Sequence, residues 1–215
     1  MLNPPYKLVI LDFDGTLADS LGWLAANMNR VAKRYRFRTI SQAEGEALRS
    51  ADTAEIIRYL GVPLWKIPFI ARHMRKMAAR DVAGISLFAG VADALTRLAA
   101  CSQVAIVSSN SAANVKAVLG PDLARHVGTF ACGASMFGKA AKFRRVLKRL
   151  GIAPRDAIAV GDELRDITAA RDAGVAAGAV AWGYAKPDLL RARSPDVFFE
   201  TVEAMASVLA PREAT

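Results

Sequence analysis

Short apolar runs alternate with longer helical patterns along this chain, and that alternation most limits what it can fold into. Candidate strands occupy residues 7–12 (KLVILD), 103–108 (QVAIVS), 128–132 (GTFAC), 157–161 (AIAVG) and 178–182 (GAVAW). Each is short and apolar throughout, as strands covered on both faces must be. Helical patterns fill 91–100, 111–119, 139–150 and 164–173. Gly151 and Gly174 stand where C-terminal glycines end helices. A run at 196–199 (DVFF) reads as an edge strand, and 201–210 as a closing helix. The expected class is α/β, with a parallel sheet flanked by helices.

One segment breaks the alternation. About 90 residues separate the first two strands, far beyond an ordinary crossover. Residues 18–86 show no convincing strand; they hold helical patterns at 17–35, 41–49, 53–60 and 64–80. The expectation is an all-helical insert at 18–86, with residues 1–17 and 87–215 forming the core. Such an insert would overhang the C-terminal strand ends, a position suited to a lid that admits substrate and excludes water.

Two acidic clusters fall at strand ends. Asp12 and Asp14 close the first strand, and Gly15 allows a sharp turn after them. Residues two apart on an extended chain point to the same side. Two carboxylates held together are costly unless a cation or a reaction uses them. The second cluster is Gly161-Asp162-Glu163-Leu164-Arg165-Asp166, with Asp162 and Asp166 four apart. Acids there also suit a helix N-terminus. Few hard oxygen ligands beside a phosphate site fit magnesium. Ser108-Ser109-Asn110 puts a hydroxyl at a strand end and amides at a helix start. That arrangement suits phosphate oxygens, and equally suits ordinary N-caps. Lys139 opens the helix at 139–150, where the macrodipole disfavours a cation, so its place needs a reason. Lys142, one turn on, could serve instead.

Composition limits the partners. The 215 residues suffice for one large domain, or for a core with an insert. No apolar stretch reaches the roughly 18 residues of a membrane span, and residues 1–7 lack the pattern of a secretory signal. The expectation is a cytoplasmic protein in which Cys101 and Cys132 are buried, reduced thiols. Lys plus Arg (29) against Asp plus Glu (20) leaves a net charge of +9, clustered on helical segments. These clusters read as solvated faces or as steering for anions. No nucleic-acid motif accompanies them, so neither nucleic acid nor membrane is an expected partner. His73 and His126 read as ordinary helix residues, and Trp23, Trp65 and Trp182 as packing. A monomer and a homodimer are both compatible with the sequence.

Together these residues resemble the haloacid dehalogenase-like hydrolase superfamily over about residues 7–210. Four motifs occur in order: Asp12-Phe13-Asp14-Gly15-Thr16, Ser108, Lys139, and Gly161-Asp162 through Asp166. Leu87-Phe88-Ala89-Gly90-Val91 is similar to the family's return from cap to core. The resemblance implies a Rossmann-like core, a helical cap, and magnesium-dependent phosphoryl transfer through an aspartyl-phosphate. It makes Asp12 the nucleophile and Asp14 the general acid and base. Magnesium would lie on Asp12, the Asp14 backbone carbonyl and Asp162, with Asp166 orienting Lys139 or holding a metal-bound water. Ser108 and Lys139 would bind phosphoryl oxygens, helped by the amides of Phe13, Ser109 and Asn110.

Three departures stand out. Ser replaces the commoner Thr at position 108, Lys139 lacks a following proline, and Glu163 adds a carboxylate beside Asp162. The implied function is a phosphatase acting on a small phosphorylated metabolite, with phosphoglycolate or a sugar phosphate as first candidates. The alternatives are a phosphomutase of the same superfamily and a catalytically silent phosphate-binding or regulatory protein. Arg30, Arg34, Arg72 and Arg75 are candidate contacts for a substrate anion.

Overall fold

The computed structural model describes residues 6–133 and 138–211. Most of the N-terminal stretch read for targeting signals, residues 1–5, lies outside them. Six parallel strands form the central sheet: β1 (Leu8–Leu11), β4 (Gln103–Ile106), β5 (Thr129–Phe130), β6 (Ala157–Gly161), β7 (Ala176–Val180) and β8 (Val197–Phe199). Their order is β5-β4-β1-β6-β7-β8. The chain builds outward from β1 on one side, then returns to β6 on the other. The switch point therefore lies between β1 and β6, where open α/β sheets bind their ligands.

Alternation along β1 explains why both faces are covered. Val9 and Leu11 pack with Leu95 and Leu98 of α5 (Val91–Cys101) and with Met205 and Leu209 of α10 (Val202–Leu209). Leu8 and Ile10 pack with Phe143 and Val146 of α7 (Lys139–Leu150) and with Ile167 of α8 (Leu164–Ala173). α6 (Ala112–Ala124) breaks at Gly120, which the predicted end at 119 anticipates. Among the described residues no helix is long and apolar enough to cross a membrane.

Four helices fill the long excursion after β1: α1 (Leu21–Tyr35), α2 (Gln42–Leu48), α3 (Thr53–Tyr59) and α4 (Ile67–Arg80). Each of α2 and α3 starts on a reciprocal capping box, Ser41 with Glu44 and Asp52 with Glu55.

The structure corrects several expectations. Residues 18–86 are not free of strand: β2 (Ala18–Asp19) pairs antiparallel with β3 (Ser86–Leu87), closing the ends of the excursion together. Two-residue strands carry no periodicity, so their pairing is set by the fold around them. The helix expected from 17 starts at Leu21, because Leu17 and Ala18 turn back onto the Phe13 carbonyl. The strand expected at 178–182 runs from Ala176 to Val180, and a short helix, α9 (Pro187–Arg191), was not anticipated. Cys101 is exposed and Cys132 half-buried, so neither is the fully buried thiol expected. Trp65 is 68% exposed, unlike Trp23 and Trp182, which pack against the core.

Candidate active site

Phe13 organises the loop that follows β1. Its ring is fully buried, and its carbonyl accepts the amides of Leu17 and Ala18. Alternation then sends Asp12 and Asp14 the other way, into the crevice. Asp12 is 5% exposed. Its Oδ1 accepts the Phe13 amide at 2.8 Å, and its Oδ2 lies 2.6 Å from Lys139 Nζ. Asp14 accepts from Ser20 Oγ at 3.1 Å and from Asn110 Nδ2 at 3.1 Å. Ser20 Oγ in turn lies 2.7 Å from the Tyr184 hydroxyl.

Asp162 ends β6, across the switch point from Asp12. It is fully buried and accepts from Thr16 Oγ1 at 2.9 Å and from the Tyr184 amide at 2.8 Å. Two glycines make room for it. Gly15 has φ +78°, and a Cβ there would lie 2.1 Å from Asp162 Oδ2. A Cβ on Gly183 would lie 2.1 Å from the Asp162 Cβ. Asp166, in the first turn of α8, accepts the amides of Asp162 and Glu163 on Oδ2 and Lys139 on Oδ1 at 2.5 Å.

Lys139 therefore sits at a helix N-terminus because two carboxylates outweigh the unfavourable dipole. Lys142 goes elsewhere, donating to the carbonyls of Ser108 and Gly133 at 3.0 and 2.8 Å. The Ser108 hydroxyl accepts the Asn110 amide at 3.0 Å, which tightens the turn after β4.

Burial and crowding perturb the acids. Burial pushes Asp12 up to about 6 although Lys139 opposes it. Burial also raises Asp14. Asp162 stands well above its ordinary value, through burial and then the nearby charges of Glu163, Asp12 and Asp166. Burial works against the charge on Asp166 too, but Lys139 and Arg165 outweigh it and hold that carboxyl low. The protein's own cations thus favour ionised Asp166 and leave Asp12 and Asp162 under-compensated.

Carboxylate oxygens of Asp12, Asp162 and Asp166 all lie within 4.8 Å of one another. This compact set of hard donors fits a small divalent cation such as magnesium. Glu163 turns aside from the set: it accepts from Thr53 Oγ1 at 3.1 Å and pairs with Arg165.

Side chains from the excursion after β1 also reach this crevice. Arg49 donates to the carbonyls of Tyr184 and Gly183, at 2.9 and 3.2 Å. Arg75 donates to the Ser109 carbonyl at 3.3 Å. Of the four arginines expected to meet a substrate anion, Arg75 lines the cavity above Asp12 and Asp14; Arg30, Arg34 and Arg72 do not. The structure brings together Asp12, Asp14, Asn110, Lys139, Asp162 and Asp166. Sequence reasoning gave Thr16 no role beyond its place in the first motif and missed Ser20, Arg49 and Tyr184, which orient these groups. None carries a spacing signal, because the partners meet only through the fold.

The fold, with buried carboxylates gathered at the switch point, defines an α/β protein with a candidate catalytic crevice. The chain belongs to the haloacid dehalogenase-like hydrolase family, whose pattern matches residues 9–180. It is a phosphoric monoester hydrolase by class. A phosphoglycolate phosphatase of Synechococcus elongatus is 33% identical over 197 residues, covering 91% of this chain and 93% of that protein. A phosphoglycolate phosphatase of Chromobacterium violaceum is 29% identical over 203 residues, covering 86% of this chain and 90% of that protein. The fold is similar to the crystal structure of a predicted phosphatase from Clostridium acetobutylicum, with a TM-score of 0.79 and 16% identity, over 94% of this chain and 97% of that one.

Proposed function

We propose that the protein is a magnesium-dependent phosphatase that cleaves a small phosphomonoester through an aspartyl-phosphate on Asp12. The observation that carries this reading is the buried Asp12 carboxylate, held by Lys139 on one oxygen and the Phe13 amide on the other, with Asp14 two residues on in the same crevice. Asp12 attacks phosphorus and forms an acyl phosphate, splitting one hard hydrolysis into two easier steps. Asp14, raised by burial toward its protonated form, gives its proton to the departing alkoxide. It then takes a proton from the water that attacks the phosphoryl group, which releases phosphate and restores Asp12. Ser20 and Asn110 hold the Asp14 carboxyl in place for both transfers.

Lys139 and Ser108 position the phosphoryl oxygens, with the amides of Phe13, Ser109 and Asn110 as further donors. Asp166 orients Lys139, accepting from it on Oδ1 while the Asp162 and Glu163 amides fix Oδ2. Magnesium would be held by the Asp12 and Asp162 carboxylates and the Asp14 backbone carbonyl, and would supply positive charge against the phosphate dianion. Residues 18–86 form a cap over a core of residues 1–17 and 87–215. The β2–β3 pairing, which brings the two ends of the excursion together, supports that division.

The test is phosphate release from a panel of phosphorylated metabolites, with and without magnesium, beside Asp12→Asn. Magnesium-dependent release that the variant loses supports the reading. A fully active Asp12→Asn protein refutes it.

A further inference from the structure

A cavity of about 720 Å³ opens over Asp12 and Asp14. Its volume lies within the range of small-molecule sites. The two ends differ sharply in chemistry. The floor is polar, with Asp12, Asp14, Ser20, Asn110, Tyr184 and the Glu163–Arg165 pair among its side chains. Of the lining residues drawn from 21–80, only Thr53 and Arg75 are polar. Each makes one hydrogen bond to the floor: Thr53 donates to Glu163, and Arg75 donates through Nη1 to the Ser109 carbonyl. The rest of that wall is apolar, with Met28, Ile56, Ile57, Ile70 and Met74 among it.

These side chains do not find cover within the helices. α2 and α3 bury none of their residues, and Ile56, Ile57, Ile70 and Met74 all stay half-exposed toward the cavity. The apolar wall is continuous with the carboxylates that would act on the phosphoryl group. Whatever places its phosphorus at Asp12 therefore places its organic part against this wall.

We propose that the substrate is a phosphomonoester with an apolar alcohol, its phosphoryl group on Asp12 and its hydrocarbon part against the wall of α1, α3 and α4. This rests on the phosphatase reading above and narrows it. A sugar phosphate would carry several hydroxyls to a wall that offers only two polar side chains, and would leave most of them unpaired. A short carboxylate-bearing alcohol would meet one cation, Arg75, and would leave the apolar wall wet. A hydrocarbon chain or ring covers the wall and requires no hydrogen bonds from it.

The experiment compares n-octyl phosphate, 2-phosphoglycolate and glucose 6-phosphate as substrates, with magnesium, for the wild type, Asp12→Asn and Met74→Gln. For the wild type, kcat/KM for n-octyl phosphate is expected to exceed both others by about tenfold or more. Asp12→Asn is expected to lose all release. In Met74→Gln the ratio of n-octyl phosphate to 2-phosphoglycolate is expected to fall several-fold, with the far-UV spectrum and melting temperature confirming a folded protein. Asp12-dependent release that favours 2-phosphoglycolate or glucose 6-phosphate overturns the apolar substrate and leaves the phosphatase standing. An unchanged ratio in folded Met74→Gln also overturns it. Absence of Asp12-dependent release from all three esters overturns the phosphatase reading, and this inference with it.

Discussion

Replacing Lys139 by Met tests the centre of the site, because one ammonium group serves two buried carboxylates. Its Nζ lies 2.6 Å from Asp12 and 2.5 Å from Asp166. At an effective dielectric of about 20, each contact is worth about 6 kcal/mol of gross attraction. Desolvation of the three charges offsets most of that sum. Removing one partner of a buried ionic group still costs about 3–5 kcal/mol, since the remaining charges stay buried. With an unfolding entropy of about 2.1 cal/mol/K per residue, 215 residues convert this to a fall of about 7–11 °C in melting temperature.

The loss should depend on pH. Asp12 already sits at about 6, and without Lys139 it rises further. A carboxyl raised in the folded state destabilises it when ionised and ceases to do so when protonated. The gap between Lys139→Met and the wild type should therefore be widest near pH 8 and narrow toward pH 5. The assay is thermal melting at both pH values in EDTA, with Lys142→Met as the control. Among the described residues Lys142 donates only to backbone carbonyls, so its removal should give a smaller loss with little pH dependence. If Lys142→Met shows the larger loss, or carries the pH dependence, the assignment of Lys139 to the two carboxylates is wrong. Phosphate release should fall by about 10²-fold or more in Lys139→Met, the scale of losing one charge-stabilising donor.

Other expectations concern the same crevice. Asp14→Asn should nearly abolish turnover while inorganic phosphate still binds; loss of phosphate binding, read by calorimetry, would count against a proton-transfer role. EDTA should remove activity, and added magnesium should restore it; turnover that persists in chelator would contradict the metal assignment. Gly183→Ala forces a methyl group to 2.1 Å from the Asp162 Cβ and 2.6 Å from the Gly15 carbonyl. It should lower stability by about 1–3 kcal/mol and weaken magnesium binding, and a wild-type melting curve would show that the loop yields freely. Arg49→Ala removes donors from the carbonyls of Tyr184 and Gly183, and should raise proteolytic nicking within 18–86 relative to the core.

Much of the core was legible because its signals are local. Leu8–Leu11 is apolar on both faces and is followed at once by Asp12 and Asp14, so strand and carboxylates are read together. The Asp162–Asp166 spacing places one acid at the end of β6 and the other in the first turn of α8. Lys139 was legible only as an anomaly, a cation at the wrong end of a helix. Its explanation lay 127 residues away in sequence, at Asp12. The choice between Lys139 and Lys142 therefore could not be made from spacing, since both stand near the start of α7 and only their reach differs.

The sequence alone determined the parallel α/β class, the order of the acidic and basic motifs, and the long helical excursion after β1. Those properties depend on periodicity, on strand length and on neighbours a few residues apart. The tertiary structure alone decided which groups orient the site. Thr16 meets Asp162 across 146 positions, Arg49 meets Tyr184 across 135, and Ser20 meets Tyr184 across 164. It also decided what the apolar faces of α3 and α4 do. Helical spacing shows that such faces exist, but the same spacing serves a packed core or the wall of a cavity. Which one forms depends on how far apart the facing helices stand, and that distance is set by the whole fold.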